Sequence, residues 1–447
     1  MTTTKAPQPL RPETLLIGCG VILGFEEDPM NKPTAVRLPL SEPIDFLLAD
    51  VAIRVQLSAT NHKLAIDRYA TVNKWIERAG SPLEGRVEIF YPQGSMAIGA
   101  TIASKLERDE FDIDLIAQLD FPADTLPHEM LDVLELAIRG EPGSRYYDMT
   151  ERCTRCIQIR YKDGMHLDVT PMVRLVHLHD RCGFIFHAKQ RWATADDRRI
   201  VANPWGFAQW FNARTPAELE FAKIYEARAA DYEASLLLAE ADVEPVPNQV
   251  PPHKKSMALI ALQLLKRWRN VQYDQRQGRC PPSVLLAKFV ADNANQTRTL
   301  SEELLHQARQ LKAALTRAQQ NRELVEVRNP ACGSDVFTDR WPGTLQAQGV
   351  FAADLATLVS KLEVLVGDCD LATMQRLLSE LFGERPTLDA VRSFNRRAGQ
   401  SIVRGQSQHV PGSGRFGIPG SAAASIALST NVAAAMRDTP RHTYFGG

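Results

Sequence analysis

The sequence has no apolar run that reaches the roughly 18 residues needed to cross a bilayer as a helix, which argues against a helical membrane protein. Its opening residues, MTTTKAPQPLRPE, do not have the pattern of a signal peptide. No sign of charge is in excess: 52 Lys and Arg stand against 53 Asp and Glu, for a net charge of −1 over 447 residues. No overall field therefore draws the chain to nucleic acid, and small charged ligands held by local basic patches are the better expectation. A zinc module is also missing. Cys153 and Cys156 form a C-x-x-C, with His177, His179 and Cys182 downstream, but no second C-x-x-C or H-x-x-x-H completes a four-ligand set. The seven cysteines, an odd number, are read as reduced thiols of a cytoplasmic protein. With 44% hydrophobic residues, the chain has enough apolar material for a large core, organised as two lobes and a tail.

The informative stretch runs from Gln93 to Asp114, QGSMAIGATIASKLERDEFDID. A strand-like segment, VEIFY, leads into Gly94-Ser95, a strand-to-helix turn suited to phosphate. Glycine lets a phosphate approach the backbone closely, while amides and the serine hydroxyl supply donors. In EFDIDLIAQL the residues alternate, which puts Asp112 and Asp114 on one face of a strand and Phe111, Ile113 and Leu115 on the other. Two carboxylates one strand repeat apart repel each other unless a cation neutralises them. A third acid, Asp168, falls on the return strand of a hairpin: CIQIRY, a turn at Lys162-Asp163-Gly164, then MHLDVT. Hard oxygen ligands of this kind suit Mg²⁺ or Mn²⁺. Three carboxylates on neighbouring strands can hold two such ions about 4 Å apart, an arrangement for in-line attack of a hydroxyl on a nucleotide phosphate.

The rest of the chain divides by composition. Residues 1–43 form an N-terminal arm, 44–245 a catalytic core, 246–397 a helical lobe, and 398–447 a Gly/Ser/Ala-rich flexible tail. Helical spacing over Ile44–Ala79, broken near Ser58, predicts two helices packed beside the catalytic sheet. A helix is expected at Pro127–Arg139, opening on proline, and another at Ala217–Leu238, with Thr215-Pro216 as its start. Residues 181–205 read as irregular, 243–252 as a proline-broken connector, and 329–341 as a loop. Over Lys254–Gln272 an apolar stripe (Met257, Ala261, Leu264, Leu265, Trp268) lies beside a polar one (Gln263, Lys266, Arg267, Asn270). Lys254, Lys255, Lys266, Arg267 and Arg269 cluster there in an otherwise neutral chain. Such cations suit a bound triphosphate, with Lys266 the foremost candidate.

Taken in order, QGS, EFDIDLI, HLDVTP, NPWGFAQWF, KSMALIALQLLKRWRN with PPSVLLA, and NPACGSDVFTDRW resemble the bacterial cGAS/DncV-like nucleotidyltransferases (CD-NTases) over about residues 44–385. The resemblance implies an α+β fold: a DNA-polymerase-β-like core sheet joined to a helical second lobe. It implies synthesis of cyclic di- or trinucleotides from NTPs in anti-phage CBASS operons, without a membrane or a long nucleic acid as partner. Carried over by position, Gln93, Gly94 and Ser95 bind nucleotide, and Asp112, Asp114 and Asp168 bind two Mg²⁺. Lys266 and Ser283 contact the donor triphosphate. The resemblance also implies a downstream cyclic-nucleotide-sensing effector and an E1/E2-like partner that joins Gly447, at the end of a Gly-Gly tail, to other molecules. Two other readings use the same residues. A tailing polymerase would lengthen RNA and should show a basic RNA track, and a regulatory module would bind nucleotide without turnover.

Overall fold

A computed structural model describes residues 40, 42–103, 110–178, 180–239 and 255–403, together with 408–410, 415–417 and 437–438. All of them fall within one compact unit, Arg37–Gly447. The N-terminal arm apart from its last residues, His179, the connector at 243–252, Lys254 and Gly447 lie outside the described residues. Of the expected flexible tail, 408–410, 415–417 and 437–438 are described, as short strands paired into a three-stranded sheet.

Two helices come first, α1 (Pro43–Val55) and α2 (Ala59–Ile76), separated near Ser58 as the sequence predicts. The Ser58 side chain caps α2 by accepting from the Asn61 amide at 3.1 Å. Strand β1 (Val87–Pro92) leads through the one-turn helix α3 (Gly94–Ala97) to β2 (Phe111–Leu119). Helix α4 (Pro127–Arg139) has the expected bounds, with proline in its first turn. Strands β3 (Thr150–Arg152), β4 (Ile157–Arg160) and β5 (Met165–Arg174) follow. Next come β6 (Gly183–His187) and β7 (Arg198–Ala202), two strands in a region the sequence reads as irregular. Their residues, GFIFH and RRIVA, carry no polar–apolar alternation, so pairing with the sheet rather than local pattern makes them strands.

The seven strands form one mixed sheet, ordered β1-β2-β5-β4-β3, with β6 and β7 added beyond β5. Strand β2 pairs antiparallel with β1 and parallel with β5, while β4 and β5 make the predicted hairpin. Gly164 sits in its turn at φ +89°, a conformation that favours glycine.

The helical half consists of α5 (Pro204–Arg214), α6 (Leu219–Ala239), α7 (Met257–Tyr273), α8 (Ser283–Asn293), α9 (Leu300–Gln320), α10 (Leu345–Val366), α11 (Leu371–Phe382) and α12 (Glu384–Val403). The loop expected at 329–341 contains a two-stranded hairpin, β8 (Arg328–Asn329) with β9 (Cys332–Val336). Thr215 does not open α6. It closes α5, donating its hydroxyl to the Phe211 carbonyl at 3.0 Å, and α6 starts at Leu219.

Apolar side chains gather in two large clusters. One joins α2 and α4 to the sheet through Ala65, Val72, Leu131, Ile113, Leu167 and Val169. The other joins α1 to the helical half through Leu47, Leu48 and Val51 against Phe221, Tyr225, Ile260 and Leu264. The expectation that both early helices flank the sheet therefore holds for α2 and fails for α1. The reason is charge as well as burial. Asp50 of α1 is almost fully buried and accepts from Arg228 of α6 at 2.6 and 2.9 Å and from Arg397 of α12 at 3.1 and 3.2 Å. A buried carboxylate needs such partners, and among the described residues Arg228 and Arg397 of the helical half supply them.

Candidate active site

The register of β2 against β5 assembles the acids. Asp114 lies directly across from Asp168, and Asp112 lies across from His166. Their intervening neighbours Ile113 and Leu167 are fully buried on the opposite face, so burial of the apolar residues is what turns the three carboxylates outward together. Gln158 of β4 stands opposite Asp168 on its other side and donates Nε2 to Asp168 Oδ1 at 2.8 Å. Arg160 Nε in turn donates to Gln158 Oε1 at 2.7 Å. Gln158 is absent from the sequence-based set of site residues. The signal was present: a hairpin turning at Asp163 puts positions 158 and 168 across from one another.

Electrostatics mark this face as short of positive charge. Burial, then Asp168, then Asp112 push the Asp114 carboxyl up to about 7, with the Lys266 ammonium acting in the other direction. Burial raises Asp168 as well, opposed first by the Gln158 hydrogen bond. Among the described residues no three His, Cys, Asp or Glu side chains are already drawn close enough to hold an ion. The three aspartates are thus aligned carboxylates rather than a closed cluster. Their donor set, hard oxygens crowded on one face with too little cation nearby, fits a divalent ion.

Helix α3 supplies the second component. The Gln93 amide donates to the Asp114 carbonyl at 2.8 Å, fixing the start of the turn to β2. The Gln93 side chain lies on the sheet, its Nε2 donating to Thr170 Oγ1 at 3.2 Å and to the Leu115 carbonyl at 3.4 Å. Gly94 follows at φ +54°, and a Cβ built there would lie 2.6 Å from Asp114 Oδ2. Only glycine allows the turn to sit directly on the carboxylate. Ser95 accepts at Oγ from Thr101 Oγ1 at 3.3 Å.

Helix α7 borders the acids with its cations buried. Lys266 donates Nζ to the Ala100 carbonyl at 2.7 Å and lies within electrostatic reach of Asp114 and Asp112. Burial lowers its ammonium to about 7, with Arg269 adding to the effect and the two aspartates opposing it. Arg269 donates to the Pro281 carbonyl at 2.8 Å and to Ser283 Oγ at 2.9 Å, which ties Ser283 at the start of α8 to the same helix. Arg267 points elsewhere, to the Phe382 carbonyl at 2.9 Å. The basic stripe read from the sequence is therefore divided between two directions, because consecutive helical positions diverge by about 100°. Cys153 and Cys156 meet at the tip of the β3–β4 turn, where the Cys153 amide donates to the Cys156 carbonyl at 2.9 Å. All described cysteines are free thiols.

Comparison with known proteins decides the family. Residues 46–211 match the Second Messenger Oligonucleotide or Dinucleotide Synthetase (SMODS) domain. The chain is 40% identical over 396 residues to the cyclic dinucleotide synthase CdnG of Bradyrhizobium diazoefficiens, covering 88% of this chain and 93% of that one. This chain belongs to the CD-NTase family. The solved structure of the B. diazoefficiens CD-NTase CdnG in complex with GTP superposes with a TM-score of 0.70, covering 80% of this chain and all of that one. A c-di-GMP synthase of Roseivirga ehrenbergii is 23% identical over 350 residues, 78% of this chain and 86% of its own. The CD-NTase is therefore a nucleotidyltransferase of the second-messenger class, and enzymes of this kind work with divalent metal ions. Among the described residues no helix is long and apolar enough to cross a membrane.

Proposed function

We propose that this CD-NTase joins nucleoside triphosphates into a cyclic dinucleotide. The observation that carries the reading is the lateral pairing of Asp114 with Asp168 beneath the Gly94 turn. That arrangement sets a carboxylate pair against a phosphate-binding helix start. Asp112, Asp114 and Asp168 would hold two divalent cations, Mg²⁺ or Mn²⁺, which neutralise the triphosphate and acidify the attacking ribose hydroxyl.

The chain's own residues do the rest. The free amides at the start of α3 and the Ser95 hydroxyl receive phosphate oxygens, and Gly94 keeps the approach open. Lys266 and Ser283 face the donor triphosphate from the helical side, Lys266 by charge and Ser283 by its hydroxyl. Gln158 fixes the rotamer of Asp168 through its side-chain hydrogen bond. In each step an oxygen–phosphorus bond forms at the donor α-phosphate as the bond to pyrophosphate breaks. Holding the two groups in line is the enzyme's main contribution. A second step of the same kind, on the linear intermediate, closes the ring.

Through the family resemblance the proposal extends to anti-phage CBASS signalling in the cytoplasm, with a cyclic-nucleotide-sensing effector downstream and an E1/E2-like partner. The test is pyrophosphate release from a mixture of the four NTPs. Release with Mg²⁺, lost in EDTA and in Asp112→Asn, supports the reading. Release that persists in Asp112→Asn refutes it.

A further inference from the structure

The residues just after α3 are held from the helical half in an unusual way. Three consecutive carbonyls, those of Gly99, Ala100 and Thr101, all accept from one region of the chain at the start of α7 and along it. Lys255 donates Nζ to the Gly99 carbonyl at 2.6 Å, and Lys266 donates to the Ala100 carbonyl at 2.7 Å. Gln263 spans the two flanking carbonyls, with Nε2 at 3.4 Å from Gly99 O and 3.5 Å from Thr101 O.

On its other side the same segment grips the phosphate turn. The Ala100 amide donates to the Ser95 carbonyl at 2.8 Å, and Thr101 Oγ1 donates to Ser95 Oγ at 3.3 Å. The α1–α2 link completes the frame, through Leu57 N to Thr101 O at 3.3 Å and Ala103 N to Val55 O at 2.8 Å. Residues 99–101 thus connect α7 directly to Ser95.

Lys255 is the member that stability alone does not explain. Lys266 has Asp114 and Asp112 within electrostatic reach. Burial lowers the Lys255 ammonium to about 8, and among the described residues no carboxylate acts on it. Desolvating a charge against a neutral carbonyl costs folding energy that an apolar side chain of the same length would not. What the ammonium adds is a strong, directed donor, since charge-assisted hydrogen bonds are shorter and stronger than neutral ones.

We propose that Lys255 is a positioning residue for nucleotide binding. Its ammonium, with Gln263, fixes the 99–101 carbonyls so that Ser95 and the α3 amides stand at the height a triphosphate requires. Lys255 does not touch the nucleotide; it acts through Ser95. The proposal rests on the reading that the Gly94-Ser95 turn receives NTP phosphates.

The experiment is a double-mutant cycle between Lys255→Met and Ser95→Ala, read by calorimetric binding of a non-hydrolysable GTP analogue with Mg²⁺. Melting temperatures are recorded for every variant. Alone, Lys255→Met should weaken binding about tenfold, with kcat within about twofold of wild type, because a phosphate contact already exists in the ground state. In the Ser95→Ala background the same substitution should cost clearly less than it does alone, since the part of its effect that passes through Thr101 to the Ser95 hydroxyl is already gone. Gln263→Met is the companion variant and should fold, because the Gln263 Oε1 it removes is buried without a partner. It should show the same non-additivity with a smaller single effect. Equal penalties in both backgrounds, or unchanged affinity with a lower melting temperature, overturn the proposal. Failure of the wild-type chain to bind the analogue overturns the reading of the turn, and the proposal with it.

Discussion

Replacing Asp114 with asparagine keeps the shape of the side chain and removes its charge. In the metal-free protein the Asp114 carboxyl stands at about 7, against an ordinary value of 3.8, through burial and the neighbouring Asp168 and Asp112. Below about pH 4 the group is neutral in folded and unfolded chains alike, and it contributes no penalty. Between there and about pH 7 the unfolded chain loses the proton first, so folding is progressively penalised as pH rises. Above that window the penalty is constant. Moving the carboxyl from 3.8 to about 7 corresponds to a ceiling of ~4 kcal/mol. Partial solvent exposure, and the attraction of Lys266 that asparagine forfeits, reduce the expected gain for Asp114→Asn to ~1–2 kcal/mol. In EDTA the variant should therefore be more stable than wild type at pH 8, and the gap should narrow towards pH 4.5. Added Mn²⁺ should raise the melting temperature of wild type and leave the variant nearly unmoved, and nucleotide synthesis should be lost. Urea denaturation at several pH values measures the first effect and differential scanning fluorimetry the second. A variant less stable than wild type at pH 8 in EDTA, or a stability difference independent of pH, would refute the electrostatic argument.

Gly94→Ala places a Cβ 2.6 Å from Asp114 Oδ2 at a φ of +54°. It should cost ~1–2 kcal/mol of stability and, by displacing the carboxylate, lower turnover about 100-fold or more, measured by denaturation and by pyrophosphate release. Gln158→Leu removes the donor that opposes the rise of Asp168. The acid limb of the pH–rate profile should move to higher pH, with a loss in kcat/KM of about 10- to 100-fold. Asp50→Asn leaves Arg228 and Arg397 without their shared counter-charge in a buried setting. It should destabilise the fold by ~3 kcal/mol while leaving residual activity per folded molecule close to wild type, as urea titration and activity at low temperature would check.

The candidate site was legible because its parts are local in sequence. Alternation in EFDIDLI and MHLDVT fixes which side chains share a face, and the β4–β5 turn sets Gln158 across from Asp168, whereas the parallel pairing of β2 with β5 that brings Asp114 beside Asp168 is a tertiary contact. Helices α2, α4 and α7 carried clear 3.6-residue spacing or terminal signals. Four things were not legible. Strands β6 and β7 owe their form to pairing rather than pattern. The allegiance of α1 depends on Asp50 meeting arginines 178 and 347 residues away. Helix α12 was not read as a helix of its own within the expected lobe 246–397, although Gly383 and first-turn Pro386 mark its start. The direction of the α7 cations was likewise hidden. Clustering of Lys266, Arg267 and Arg269 in sequence says nothing about which of them faces the acids.

In the function we propose, Asp112, Asp114 and Asp168 together make a closed dinucleotide. The most direct measurement is mass spectrometry of the products formed by the purified chain from the four NTPs with Mg²⁺, after phosphatase treatment and with a short RNA present. The account predicts a phosphatase-resistant cyclic dinucleotide, lost in Asp168→Asn, and RNA of unchanged length. Lengthened RNA, or products reduced entirely to nucleosides and linear dinucleotides by the phosphatase, would contradict it.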